Sequence, residues 1–172
     1  FGSGPLRKTG VATDLALAGD AFFTVQGTGG QKMYTRDGAF AVDRGGYLVT
    51  QAGQRVLGKT GPIRVGGPDF TVDQQGRVTA GNRTFYLALA RFANPASLQK
   101  VGDNLFSASP AAGAGPATGA TVRQGYLEGS NVDLVKNMVD LIDAERTFQS
   151  LQQVIQAQGS VMKESSQLGN PS

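Results

Sequence analysis

Apolar and polar positions follow two different rhythms along this chain of 172 residues. Up to Gly129 the apolar runs are short and turn formers break them every few residues, holding 23 of the 25 glycines and six of the seven prolines. Short runs bounded by Gly, Pro and Asp predict a β-rich domain of short strands. The expected strands are Phe22–Gln26, Met33–Arg36, Ala39–Asp43, Tyr47–Thr50, Arg55–Leu57, Ile63–Val65, Phe70–Asp73, Arg77–Ala80 and Thr84–Phe92. In the last, alternation puts Phe85, Leu87 and Leu89 on one face and Tyr86, Ala88 and Ala90 on the other. The small-residue stretch 108–120 reads as a flexible surface loop, and TVRQGYLEG after it as one more strand.

From Asn131 the rhythm changes to steps of three and four: Leu134, Met138, Leu141, then Phe148, Leu151, Ile155 and Met162. That spacing predicts a helix with one apolar face. Ser130 and Asp133 form a capping box at its start, and Gly169 with Pro171 supplies a stop. An unbroken helix from Asn131 to Leu168 would be about 57 Å long at 1.5 Å per residue. The fold class expected is therefore mainly β with a long C-terminal α-helix: a β domain of hairpins over 1–129, and a coiled-coil-like helical segment for assembly over 130–172.

One unit occurs twice, as FAVDRGGYLV at Phe40–Val49 and FTVDQQGRVT at Phe70–Thr79. Both copies read Phe-x-Val-Asp-x-x-Gly. An Asp that opens a turn accepts hydrogen bonds from the backbone, and Gly supplies the positive φ that closes it. Each copy is expected to be a β-hairpin, with Phe40 and Val42, and likewise Phe70 and Val72, on a buried face.

Composition narrows the chemistry. There is no Cys and no His, charged residues make up 17%, and the net charge is +3. Thiolate and imidazole metal sites are excluded, the commonest general base is missing, and a weakly basic chain carries no nucleic-acid footprint. No apolar run is long enough to span a membrane. Asp37, Asp43 and Asp73 invite a metal or acid–base reading, but each lies beside a turn glycine and the calcium-loop spacing is missing. GQRVLGKT at Gly53–Thr60 satisfies the P-loop pattern, yet Gly61-Pro62 and a strand-like IRV follow where a helix must begin. The sequence therefore assigns no catalytic, cofactor-binding or metal-ligating residue. A nucleotide-binding enzyme built on Lys59 remains one alternative. A surface binding module using Tyr34, Tyr47 and Tyr126 is another.

The helix speaks for assembly. Thr147–Met162 contains no charged residue and five glutamines. A lone solvated helix shows ion pairs on its outer face. An uncharged surface suits burial against other helices, and the glutamine amides would lack partners in lipid. Packing onto its own domain is the plainer reading of the same stripe. Leu134, Met138, Leu141, Phe148, Leu151, Ile155 and Met162 are the expected assembly interface.

Three ordered blocks cover nearly the whole chain: SGPLRKTGVATDLALAGDAFFTVQ, YTRDGAFAVDRGGYLVTQAGQRVLG and GYLEGSNVDLVKNMVDLIDAERTFQSLQQVIQ. They resemble the bacterial flagellar rod and hook proteins, with Ala21 where that family usually has Gly. The resemblance implies a β-rich domain carried on a helical inner layer, in which an N-terminal helix pairs with the C-terminal one. It implies subunits stacked into a helical tube whose inner helices line an export channel. It implies no cofactor, other rod and hook proteins as partners, export by the flagellar secretion apparatus, and a place in the periplasm-spanning rod of the basal body. The chain begins after the family's N-terminal helix. No room for the hook protein's large outer domain is seen, which favours a rod-type protein, distal before proximal. A hook–basal-body paralogue is the close alternative.

Overall fold

The repeated hairpin folds as its residues require. In the computed structural model, which describes residues 4–102, 104–129, 138–139 and 141–152, strands β5 (Phe40–Val42) and β6 (Leu48–Thr50) pair antiparallel with Phe40 opposite Thr50. Between them Gly46 N–H donates to Asp43 O at 2.9 Å, and Tyr47 N–H donates to the Asp43 carboxylate at 2.8 Å. The second copy repeats this arrangement between β9 (Thr71–Val72) and β10 (Arg77–Ala80), with Gly76 N–H on Asp73 O at 3.0 Å and Arg77 N–H on the carboxylate at 2.9 Å. Gly46 and Gly76 stand at φ +80° and +78°, where a side chain is strained. This is the three-residue hairpin loop closed by a left-handed glycine.

A third copy of the same turn escaped the sequence reading. After β6, Gly53 N–H donates to Thr50 O at 2.9 Å, and Gln54 N–H donates to the Thr50 hydroxyl at 3.2 Å. Thr50 takes the role of the aspartate, so a search for Asp-x-x-Gly passes over it.

The chain divides into two compact units, Phe1–Asn131 and Val132–Ser172. In the first, the largest sheet has six antiparallel strands: β13 (Leu98–Gly102), β14 (Leu105–Ala108), β4 (Lys32–Thr35), β3 (Phe22–Gln26), β12 (Leu89–Phe92) and β15 (Ala114–Pro116), in that order. Its two faces bury different clusters, because neighbouring residues of a strand point to opposite sides. Phe23, Val25, Met33 and Leu105 join the main core with Leu15, Leu17, Phe40, Leu48, Val56, Ile63, Phe70, Val78 and Val122. Phe22, Tyr34, Ala90 and Phe92 form the second cluster with Ala112, and Leu98 and Phe106 pack against it. Its rings meet edge to face: Phe22 and Phe92 at 5.3 Å between centroids, Tyr34 and Phe92 at 4.8 Å. Burial raises the Tyr34 phenol pKa.

Several expectations need correction. Thr84–Phe92 is not one strand. It is β11 (Arg83–Tyr86), which pairs with β10, and then β12, which belongs to the six-stranded sheet. The break falls at Leu87 and Ala88, whose amides donate to Gly76 O and Leu57 O. The faces still fall as alternation requires: Phe85, Leu87 and Leu89 meet the main core, and Ala90 meets the second cluster. Residues 108–120 are not one loop either. They hold the end of β14, a 3-10 turn at Pro110–Ala112 and β15. Alanine and glycine carry no apolar alternation, so only the pairing of Ala114 with Phe92, and of Pro116 with Ala90, reveals the strand. Pro116 is tolerated because β15 is an edge strand. At the opposite edge, the register of β13 shifts between Lys100 and Gly102.

Four further strand pairings also went unread. They involve β1 (Leu6–Lys8) on β17 (Tyr126–Glu128), and β2 (Leu15–Ala18) on β16 (Thr121–Gln124). TVRQGYLEG is thus two strands broken at Gly125, not one. The remaining pairings are β13 on β14, and β7 (Leu57–Gly58) on β8 (Gly61–Pro62).

In the second unit, residues 138–139 and 141–152 are helical; 141–152 is called α1. The expected cap at Ser130 and Asp133, and the interface positions Leu134, Ile155 and Met162, lie outside the described residues. No described helix is long and apolar enough to cross a membrane.

Candidate assembly surface and the seam of the β unit

The residues singled out for chemistry serve the backbone. Asp37 accepts the Ala39 amide at 3.0 Å and the Asn104 side-chain amide at 3.1 Å. Asp43 and Asp73 cap the two hairpin turns. The Asp73 pKa is lowered: the Arg77 amide is the largest cause, desolvation opposes it, and the Arg77 side chain and the Gln75 amide lower it further. A depressed folded pKa means that this contribution to stability is present above the ordinary aspartate value and is lost as pH falls through the folded one. Asp73→Asn keeps an oxygen for the cap and removes the charge. Its melting temperature is expected to lie below wild type at pH 7, with the gap closing as the pH drops below about 4. A gap independent of pH would contradict this account.

The P-loop pattern is a hairpin. After Gly58, the Lys59 amide donates to Tyr86 O at 2.9 Å, and the Lys59 ammonium lies 5.5 Å from the Tyr86 ring centre. The chain then turns into β8, so no helix N-terminus faces a phosphate. The three tyrosines do not share a face. Tyr34 is in the second cluster, Tyr47 lies beside the guanidinium of Arg55 at 4.2 Å, and Tyr126 is in β17.

What the sequence missed is the seam where the first and last strands of the β unit meet. Leu6 stands opposite Glu128, and Lys8 opposite Tyr126. The Gly129 amide donates to Pro5 O at 2.8 Å, and the Thr9 amide to Gly125 O at 2.8 Å. Gln124 joins three segments. Its Nε2 donates to Ala12 O at 2.8 Å and Phe70 O at 3.0 Å, and its Oε1 accepts the Val72 amide at 2.9 Å. Gln124→Ala strands these groups, and an unsatisfied buried group costs about 1–3 kcal/mol. Urea unfolding of this variant is expected to show a loss of about 2 kcal/mol, with Gln124→Glu intermediate because it keeps the acceptor. A loss within error of zero would remove Gln124 from the role. No local motif marks it, since its partners lie 52 to 112 residues away.

Along α1 the apolar side chains face solvent. Met138 is 63% exposed, Leu141 69%, Phe148 61% and Leu151 57%. Val139 and Ile142 are exposed as well. At 100° per residue, Leu141, Phe148 and Leu151 share one side of the helix. Ile142 lies about 180° round the helix from Leu151, and Glu145 sits between Leu141 and Ile142. Thr147 turns its hydroxyl back to Asp143 O at 2.8 Å. The structure thus leaves Leu141, Phe148 and Leu151 exposed on one side of α1, and Met138 exposed ahead of it.

Fold and surface together give a small β unit stapled at its ends and, among the described residues, a helix with exposed apolar side chains. Known proteins place it further. Residues 16–80 match the flagellar hook protein FlgE/F/G D1 domain, and residues 123–168 match the flagellar basal body rod FlgEFG protein C-terminal family. The chain is 40% identical to the flagellar basal-body rod protein FlgG of Agrobacterium fabrum and 38% identical to the flagellar basal-body rod protein FlgF of Caulobacter vibrioides; each match covers 88% of this chain and 63% of the relative. It is 30% identical to FlgG of Buchnera aphidicola subsp. Schizaphis graminum over 98% of this chain and 69% of that protein. The chain belongs to the flagellar basal-body rod and hook protein family, a structural family and not a class of enzymes. It spans 63% of the length of the first two relatives.

Proposed function

We propose that this protein is a structural subunit of the bacterial flagellar basal-body rod, assembling with copies of itself into a helical tube and meeting other rod and hook proteins at its ends. The observation that carries this reading is the exposed apolar side of α1, in a chain whose relatives bear the names of rod proteins. An uncovered apolar surface of this kind marks a protein interface. The β unit, 1–129, sets the outer contacts between neighbours. The helical segment, 130–172, packs coiled-coil fashion in the inner layer through Leu134, Met138, Leu141, Phe148, Leu151, Ile155 and Met162. The protein acts in the periplasm-spanning rod, reached through the flagellar secretion apparatus, and needs no cofactor.

The test is polymer formation by the complete gene product, followed by sedimentation and electron microscopy, for wild type and for variants of the helical surface. A complete product that stays monomeric under all conditions would overturn the reading.

A further inference from the structure

The incoming and outgoing chain of the β unit lie side by side. Strand β1 begins where β17 ends, so the segment before Leu6 and the segment after Glu128 flank the same end of one short strand pair. A pull that draws these two segments apart loads the pair at that end. In an antiparallel pair loaded from adjacent ends, hydrogen bonds fail one at a time, and resistance depends on the first link. A single backbone bond contributes only about 0.5–1.5 kcal/mol net.

Here the first backbone link, from the Gly129 amide to Pro5 O at 2.8 Å, is backed by a stronger contact. Glu128 takes a bidentate ion pair from Arg36: Nε donates to Oε2 at 3.0 Å and Nη2 to Oε1 at 3.1 Å. The side chains are only 14% and 12% exposed. The same carboxylate accepts the Gly4 amide at 2.8 Å, so it grips both chains. Arg36 is itself anchored. Its Nη1 donates to Gly19 O at 3.1 Å and Ala21 O at 3.2 Å, and its guanidinium carbon lies 5.7 Å from the Phe22 ring centre. Ala21 and Phe22 are fully packed in the two cores. A planar fork that holds a carboxylate with two bonds while giving a third to backbone carbonyls is something arginine provides and lysine does not.

We propose that Arg36 and Glu128 form a mechanical lock that keeps the first and last strands of the β unit from unzipping when the flanking segments are pulled. Load arriving on either segment passes through Glu128 to Arg36, and from there into the turn at Gly19–Ala21 and the centre of the six-stranded sheet. The single backbone bonds of β1 and β17 are spared. The lock resides within the β unit and acts whether or not α1 assembles, so its failure leaves the proposed function standing.

Two measurements on the full chain test it. In the first, amide hydrogen exchange is compared for wild type, Glu128→Gln and Arg36→Lys. Exchange is expected to speed up at least about tenfold at Gly4 and in residues 6–8 and 126–129, while the central amides of Phe23 and Val25 keep their wild-type rates, because local opening is separable from global unfolding. Unchanged rates at the seam would overturn the proposal. So would an equal acceleration throughout the β unit, which would make the pair an ordinary contributor to stability. In the second, the chain is stretched between handles at Phe1 and Ser172. The first opening of the β unit is expected at lower force in both variants, and equal forces would likewise overturn the lock.

Discussion

Substituting aspartate for Leu141, Phe148 and Leu151 is expected to abolish polymerisation of the complete gene product and leave the melting of the β unit unchanged. All three side chains are more than half exposed in the single chain, so a charge there does no harm until a neighbour covers it. Burying one such side chain contributes about 1.5–3 kcal/mol. Losing three removes roughly 5 kcal/mol or more from each contact. A tenfold change in affinity corresponds to about 1.4 kcal/mol, so the critical concentration should rise by more than about a thousandfold. Three carboxylates placed in an apolar contact add their own desolvation cost. Sedimentation and negative-stain microscopy read the result, with circular dichroism melting as the folding control. Filaments of normal yield from the triple variant would show that this side of the helix is not the contact.

The second large effect falls inside the β unit. Gly38→Ala is expected to destabilise it by about 4 kcal/mol or more, in the range reserved for changes that force the backbone to move. A Cβ on Gly38 would lie 1.6 Å from Leu15 O and 3.2 Å from the Phe23 ring. Leu15 is fully buried, and its amide donates to Gly38 O at 3.0 Å. The carbonyl cannot withdraw without displacing Leu15, a fully buried residue of β2 that is bonded to Gly38 itself. Gly53→Ala makes a useful comparison. It has open space around it and a φ of +86°, so only the left-handed backbone penalty of about 1–2 kcal/mol applies. Urea unfolding of both variants separates the two causes. A Gly38→Ala loss no larger than that of Gly53→Ala would mean that the two strands part without cost.

What could be read from the chain was local. The hairpins at Asp43 and Asp73 announce themselves because donor, acceptor and glycine lie within five residues. The stripe of α1 is legible in the same way, since helix spacing is local too. Reading failed where pairing joins distant segments. Nothing near Glu128 says that its partner is Arg36, 92 residues earlier. Nothing near Ala114 says that it lies beside Phe92 in a sheet. Thr84–Phe92 was apolar and long enough to pass for one strand, and only competition from Gly76 and Leu57 for its amides splits it. The three blocks of the family resemblance contain Arg36 and Glu128, but a resemblance of blocks does not say that the two side chains meet.

The rims of the six-stranded sheet have a bearing on how such a protein survives crowding with identical copies. One rim carries an imide that cannot donate, at Pro116, and the other a register shift beside the ammonium of Lys100. Neither offers a clean ladder to a strand from another molecule. Growth by adding strands, the route to amyloid, is disfavoured at both rims of this sheet.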